Sequence, residues 1–118
     1  MTMIQPMPMN FSDTLKTLPG TGHLAGLDLL DAAGRTVATI SNRPGQAGSV
    51  CVYHALAQRH GQIDADAARA GLTLYAEHTA DAHAFPGKHP NIDRLLAITA
   101  GTLGPLQVRH IAAAGPGT

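Results

Sequence analysis

A turn between two apolar segments is the feature that most constrains the fold of this chain. Asp31-Ala32-Ala33-Gly34 separates HLAGLDLL from TVATI, and Gly34 can adopt the positive φ of a bulged turn. The two segments therefore predict a β-hairpin. Along its first strand Ala25, Leu27 and Leu29 share one face, so we expect helices to cover that side of the hairpin.

Helix signals lie on both sides of the hairpin. Ser12 is the predicted N-cap of a short first helix that Pro19-Gly20 ends. Gly71 is a position at which a later helix can bend. The segment LQVRHI alternates and predicts a final strand. Three later helices are predicted. The first follows Ser49 and stops at Gly61, and the second runs from Asp64 towards Phe85, where Pro86-Gly87 ends it. The third lies between Asn91 and Gly101.

The order of these elements predicts the fold class. It lacks the alternating βαβ pattern, internal repeats and sustained heptads. We therefore predict an α+β fold with a short N-terminal helix, a β-hairpin, three helices and a C-terminal strand. The last strand should pair with the hairpin in a three-stranded, mainly antiparallel sheet on which the helices pack.

Length and composition indicate one domain. A chain of 118 residues with 44% hydrophobic residues can bury a single modest core. We place that domain at residues 11–111. Residues 1–10 and 112–118, which are rich in Pro, Met, Gly or Ala, are predicted to be a disordered N-terminal extension and a disordered tail.

Charge and apolar run length exclude several classes of partner. Lys plus Arg and Asp plus Glu are equal at eight each, so the chain has no basic footprint for nucleic acid. No apolar run approaches the ~20 residues that span a bilayer, and the N-terminus does not resemble a secretory signal. Together with the single Cys51, these features predict a cytoplasmic protein without nucleic-acid or membrane partners.

The first candidate site is a segment rich in histidine and carboxylate, EHTADAHAFPGKHPNID. On a helix, Glu77 and Asp81 are four residues apart and His78 and Asp81 are three apart, with His83 near the helix end and His89 in the next loop. Imidazole and carboxylate suit a divalent transition metal, so His78, His83 and His89 with Glu77 and Asp81 form a candidate metal site.

The same residues also have structural explanations, which we favour. Glu77 and Asp81 can be solvated, and His83 near a helix C-terminus is stabilised by the macrodipole. His89 can hold the PGKHP turn by bonding a backbone carbonyl. The spacing contains neither HExxH nor paired CxxC motifs, so it is not specific for a metal.

The second candidate site is the loop RPGQAGS. Its glycines allow close backbone approach, and the N-terminus of the following helix offers free N–H groups and a positive dipole end. Arg43 can add a bidentate contact to a phosphate or carboxylate. Arg43, Gly45, Gly48 and Ser49 therefore form a candidate site for a small anionic ligand, with a plain connecting loop as the alternative. The lysine and spacing of a phosphate-binding Walker loop are absent.

Four segments together carry a resemblance: AGLDLLDAAGR, RPGQAGSVCVYHALA, GLTLYAEHTADA and PGKHPNIDRLL. They resemble a family of small uncharacterised bacterial proteins, a domain of unknown function, over residues 11–111. The resemblance implies a bacterial cytoplasmic setting. It assigns no activity and no catalytic residue.

Three functions therefore remain open. The first is a non-enzymatic module that binds a small anion or metabolite. The second is a metal-dependent, hydrolase-like enzyme with the histidine and carboxylate site, in which Glu77 or Asp81 acts as general base. The third is a protein-protein interaction domain. We also expect a homodimer, because Leu24 and Leu30 point away from Ala25, Leu27 and Leu29 and would need cover.

Overall fold

Five helices and three strands make up residues 10–113, the part of the chain that the computed structural model describes. The predicted α+β class is confirmed. In chain order the elements are α1 (Phe11–Leu15), β1 (Leu24–Leu30), β2 (Thr36–Ser41), α2 (Ala47–His60), α3 (Ala65–Leu74), α4 (Glu77–Ala84), α5 (Pro90–Ala100) and β3 (Gln107–Ala112).

The central strand of the sheet is β1, which pairs antiparallel with β2 on one side and β3 on the other. The hairpin turn is held by Asp31, whose Oδ1 accepts the N–H groups of Ala33 and Arg35 at 2.9 Å each. Gly34 has φ 81°, as the predicted bulged turn requires. Both the hairpin and the pairing of the C-terminal strand are therefore confirmed.

Three predicted helix boundaries are confirmed by their local geometry. The side chain of Asp64 accepts the N–H of Ala67 at 2.9 Å and so caps α3. Gly61 and Gly101 follow α2 and α5 with φ of 81° and 78°. Positive φ favours glycine, so these residues end their helices.

Three predicted helix starts are displaced towards the N-terminus: Asn10 rather than Ser12 caps α1, α2 begins at Ala47 rather than after Ser49, and α5 begins at Pro90 rather than after Asn91. Asn10 accepts the N–H of Asp13 at 2.8 Å through its side chain. Pro90 occupies the first turn, where its missing N–H costs nothing. Several residues suited to capping lie close together at these starts, and the surrounding packing selects among them.

The helix predicted from Asp64 towards Phe85 is two helices, α3 and α4. The chain breaks at Ala76, which has φ 54° and ψ −122° and is the one non-glycine residue with positive φ in residues 10–113. Gly71 is not the break. It lies buried within α3, where a Cβ would come within 2.8 Å of Leu56 Cδ1 and 2.7 Å of Leu95 Cδ1. Gly71 therefore allows α2, α3 and α5 to pack closely.

The core lies between the helices and one face of the sheet. Leu27, Leu29 and Ile40 point from the sheet into it. The prediction for the first residues of β1 is wrong, because Leu24 is buried in the core and Ala25 is exposed. An irregularity in the pairing of β1 with β3 between Leu24 and Gly26 reverses the side-chain alternation there.

The ends of the predicted domain can be compared with the structure only in part. Asn10 belongs to the folded region as the cap of α1, and Ala112 is the last residue of β3. The rest of the predicted extension, residues 1–9, and of the predicted tail, residues 114–118, lies outside the described residues. Among the described helices none has the length and apolar character needed to cross a membrane.

Candidate functional site

A cleft of about 610 Å³ lies where α1, the N-terminal turn of α2 and the segment that joins α4 to α5 meet. Gly45, Gly48 and Ser49 contribute one side of it, and His78 and His89 contribute another. Residues of both candidate sites thus line a single cleft.

The N-terminal turn of α2 presents backbone donors to this cleft. Val50 and Ala47 donate to carbonyls of the preceding loop, whereas within residues 10–113 no acceptor is found for the N–H of Gly48 or of Ser49. Gln46, at the N-cap position, makes no side-chain cap. A helix start with free N–H groups and no acidic residue in its first turn is favourable for an anion.

Basic side chains line the opposite part of the cleft: His78, Lys88, His89 and Arg94. Asp81, behind them, accepts from two of these residues, with 2.9 Å to Lys88 Nζ and 2.6 Å to His89 Nε2. The hydrogen bonds from Lys88 and then His89 hold the pKa of Asp81 below its usual range. Asp81 therefore orients these two side chains and offsets part of their charge.

Arg94 differs from Lys88 because no carboxylate in residues 10–113 forms an ion pair with it. It is partly buried, and its Nη1 donates to Asn91 Oδ1 at 2.8 Å and to the Tyr53 hydroxyl at 3.2 Å. Burial raises the pKa of Tyr53 to about 12, so this hydroxyl stays protonated and donates to the Asn91 carbonyl at 2.6 Å. The guanidinium is held by neutral groups, so no carboxylate within residues 10–113 offsets its charge.

Apolar residues of α1 complete the cleft. The Phe11 ring stacks on Tyr75 with centroids 5.3 Å apart and meets the edge of His78 at 5.0 Å. The Phe11 N–H donates to Glu77 Oε1 at 2.7 Å. The pKa of Glu77 is lowered because its carboxylate accepts its own N–H and that of Phe11. α1 is thereby tied to the start of α4.

The residues predicted from the sequence divide into two groups. Gly45, Gly48, Ser49, His78 and His89 line the cleft, whereas Arg43, Glu77, Asp81 and His83 are not among its lining residues.

The positions outside the cleft lining have assignable surroundings. His83 is exposed in the last turn of α4. Arg43 is also exposed, and its carbonyl accepts the N–H groups of Gln46 and Ala47 at 2.9 Å each. Arg43 therefore helps to form the loop through its backbone.

Most lining residues were not predicted as site residues from the sequence, among them Phe11, Lys88, Asn91 and Arg94. The PGKHP loop contains Lys88, so proximity to the histidines was a usable signal. Arg94 had no such signal. Its role depends on the packing of α5 beside Tyr53, which is distant in sequence.

The candidate metal site is only partly assembled. The rings of His78 and His89 lie 5.6 Å apart between centroids, and His89 bonds Asp81. Within residues 10–113, however, no group of three or more His, Cys, Asp or Glu side chains is placed to hold a metal ion. The metal hypothesis therefore stays a prediction.

Comparison with known proteins places the chain in a family. The model of a family described as an uncharacterized protein conserved in bacteria, DUF2322, matches residues 11–110. The chain belongs to DUF2322. The resemblance stated from the four sequence segments is thus confirmed. No curated protein and no solved structure matches this DUF2322 chain. The family description names no activity, so the function of this DUF2322 protein has to be inferred from the cleft.

Proposed function

We propose that this protein is a binding module for small anionic ligands and that the cleft beside Arg94 is the binding site. The observation that carries the proposal is the charge of the cleft. Its described lining includes Lys88, Arg94 and two histidines and not one Asp or Glu, although the whole chain has equal numbers of acidic and basic residues. Such a site attracts negative charge.

Arg94 is the main anion ligand in this proposal. Removing a guanidinium from water is costly unless an opposite charge compensates for it, and no internal carboxylate within residues 10–113 does so. A phosphate or carboxylate can accept a bidentate contact from Arg94. Gly48 and Ser49, whose N–H groups have no acceptor within residues 10–113, line the same cleft and can supply further donors.

Binding without catalysis is favoured by the surroundings of Ser49, the serine in the cleft lining. Its Oγ accepts a hydrogen bond of 2.7 Å from the Tyr75 hydroxyl, whose pKa is raised by burial. A nucleophilic serine needs a general base within hydrogen-bond reach, and Tyr75 in its protonated form is not one. The His89 and Asp81 pair has the arrangement of a base and its orienting group but bonds no such nucleophile among the described residues.

The proposal is tested by isothermal titration calorimetry and thermal melting with phosphate, sulfate and acetate. We expect phosphate to raise Tm and Arg94→Gln to weaken its binding by about tenfold or more, since hydrogen bonds to charged groups are among the stronger ones. Arg59→Gln is the matched control, because it removes one positive charge from the exposed end of α2. If none of the three anions binds or changes Tm, the proposal is wrong.

Two further measurements separate the alternatives. Arg43→Gln tests the arginine that the sequence predicts, and a loss of binding as large as that of Arg94→Gln would assign the anion to the loop. Elemental analysis of untagged protein tests the metal-dependent enzyme. Near-stoichiometric transition metal that is lost in both His78→Ala and His89→Ala would support the enzyme instead of the binding module.

A further inference from the structure

We infer that the ligand of the cleft is an organic anion with an apolar body, rather than an inorganic ion. The inference rests on the proposed function and adds the class of ligand. It starts from size, because a cleft of about 610 Å³ lies in the range of about 300–1,000 Å³ that is typical of sites for small organic molecules. Phosphate alone would leave most of this space unfilled.

The wall formed by α1 is apolar and contacts the turn that presents the anion donors. Phe11 and Leu15 line the cleft from this side. A Cβ at Gly48 would lie 2.8 Å from Phe11 Cε2 and 2.9 Å from Phe11 Cζ, so the aromatic ring lies directly against the first turn of α2. A ligand whose charge is bound at this turn therefore has its body next to Phe11.

The position of Phe11 is determined by contacts on several sides. Tyr75 stacks on its ring, His78 meets it edge-on, and Glu77 accepts its backbone N–H. A ring held in this way loses little side-chain entropy when a ligand packs on it. This preorganised apolar wall lines the same cleft as Arg94, so the cleft matches a molecule with one charged end and one apolar end.

The charged group can be a carboxylate or a phosphate monoester, because Arg94 and backbone N–H groups bind both. Each charged group is therefore tested with a matched pair of probes. Benzoate is compared with acetate, and phenyl phosphate with inorganic phosphate. In each pair the charged group is similar and only the apolar body is added.

We expect the aryl member of at least one pair to bind about tenfold or more tightly than its partner, as burial of a phenyl ring implies. Phe11→Ala should remove most of this preference, because it should weaken binding of the aryl member of a pair more than binding of acetate or inorganic phosphate. Val37→Ala is the control, since Val37 is 47% exposed on β2 and outside the cleft lining. Arg94→Gln should weaken both members of a pair alike.

A second variant, Gly48→Ala, tests the same wall in case Phe11→Ala does not fold. Gly48→Ala retains Phe11 and should displace its ring into the cleft, so it should weaken aryl binding more than binding of the small anion. If phosphate or acetate binds as tightly as its aryl partner, the inference is overturned and the proposed function stands. If the aryl preference survives in both Phe11→Ala and Gly48→Ala, the apolar wall is not α1 and the inference is also overturned. If no probe binds, the proposed function itself fails.

Discussion

His54 of α2 and His110 of β3 share a hydrogen bond of 2.8 Å between Nδ1 and Nε2. His54 is 4% exposed, whereas His110 is exposed on β3, where it pairs with Leu27 of β1. His23 meets the other side of the His54 ring, with centroids 5.8 Å apart. One imidazole donates to the other, so the contact requires at least one of them to be neutral.

This contact makes stability depend on pH. Burial lowers the pKa of His54 from its usual 6.5, and the neighbouring His110 and His23 lower it further. The unfolded chain then binds more protons than the folded protein below pH 6.5, so the free energy of unfolding should fall as pH falls from 6.5 towards the lowered pKa. We expect His54→Gln to reduce this loss in urea unfolding between pH 7.5 and 5.5. His60→Gln, on the exposed end of the same helix, should retain it.

Gly26 allows β1 and β2 to approach closely. A Cβ at this position would lie 2.5 Å from the carbonyl oxygen of Ile40 and 3.3 Å from Cα of Ser41. Because both atoms belong to backbone, Gly26→Ala should cost about 2 kcal/mol or more of unfolding free energy. Gly22→Ala is its control, since nothing lies within 4 Å of its Cβ position, and it should be neutral within about 0.5 kcal/mol. Equal denaturation midpoints for the two variants would contradict the close approach.

Ala76 adopts a backbone conformation that favours glycine. Its φ of 54° with ψ of −122° is strained for a residue with a Cβ. Ala76→Gly should therefore raise the free energy of unfolding by about 0.5–1 kcal/mol, although glycine loses more entropy on folding. Ala80→Gly, at an exposed position within α4, should instead lower it by about 0.5–1 kcal/mol. Chemical denaturation that gives the same sign for both variants would count against strain at Ala76.

The Tyr53 hydroxyl accepts a hydrogen bond from Arg94 and so positions its guanidinium, although Tyr53 does not line the cleft. Tyr53→Phe should cost about 1 kcal/mol in stability, because the Asn91 carbonyl loses its donor. It should also weaken phosphate binding, since Arg94 loses one of its two acceptors. Titration calorimetry beside urea unfolding measures both effects. Thr73→Ala, which removes an exposed hydroxyl on α3, should leave phosphate affinity unchanged.

The homodimer was predicted because Leu24 was expected to be uncovered on the sheet, so its interface has to be sought on another surface. Leu24 belongs to the core, so Leu24→Asp should unfold the protein. Val37 is 47% exposed on β2, an edge strand, and is a better candidate for the interface. We expect a dimer at micromolar concentration in sedimentation velocity and its weakening in Val37→Asp. Thr73→Asp adds the same charge on α3 and should leave the dimer intact. A monomer at pH 7.5 would rule out a stable dimer.

Local sequence determined much of the fold. Several features act through backbone preferences and hydrogen bonds to neighbouring residues, so a short sequence segment is enough to predict them. They are the Asp31 to Gly34 turn, the Asp64 cap and the glycines at 61 and 101. The glycine-rich loop was recognised in the same way. Residues that act over short distances along the chain were therefore predictable.

Tertiary structure decided the rest, for reasons that lie in packing between distant segments. The break at Ala76 opposes the helix propensity of alanine, and the buried position of Leu24 depends on an irregularity in its pairing with β3. The cleft itself combines Phe11 of α1, Gly48 of α2 and Arg94 of α5. The glycine-rich loop marks Gly48 in the sequence, but Phe11 and Arg94 have no such mark, because an apolar wall and a guanidinium without a carboxylate become part of a binding site only when folding places them around one space.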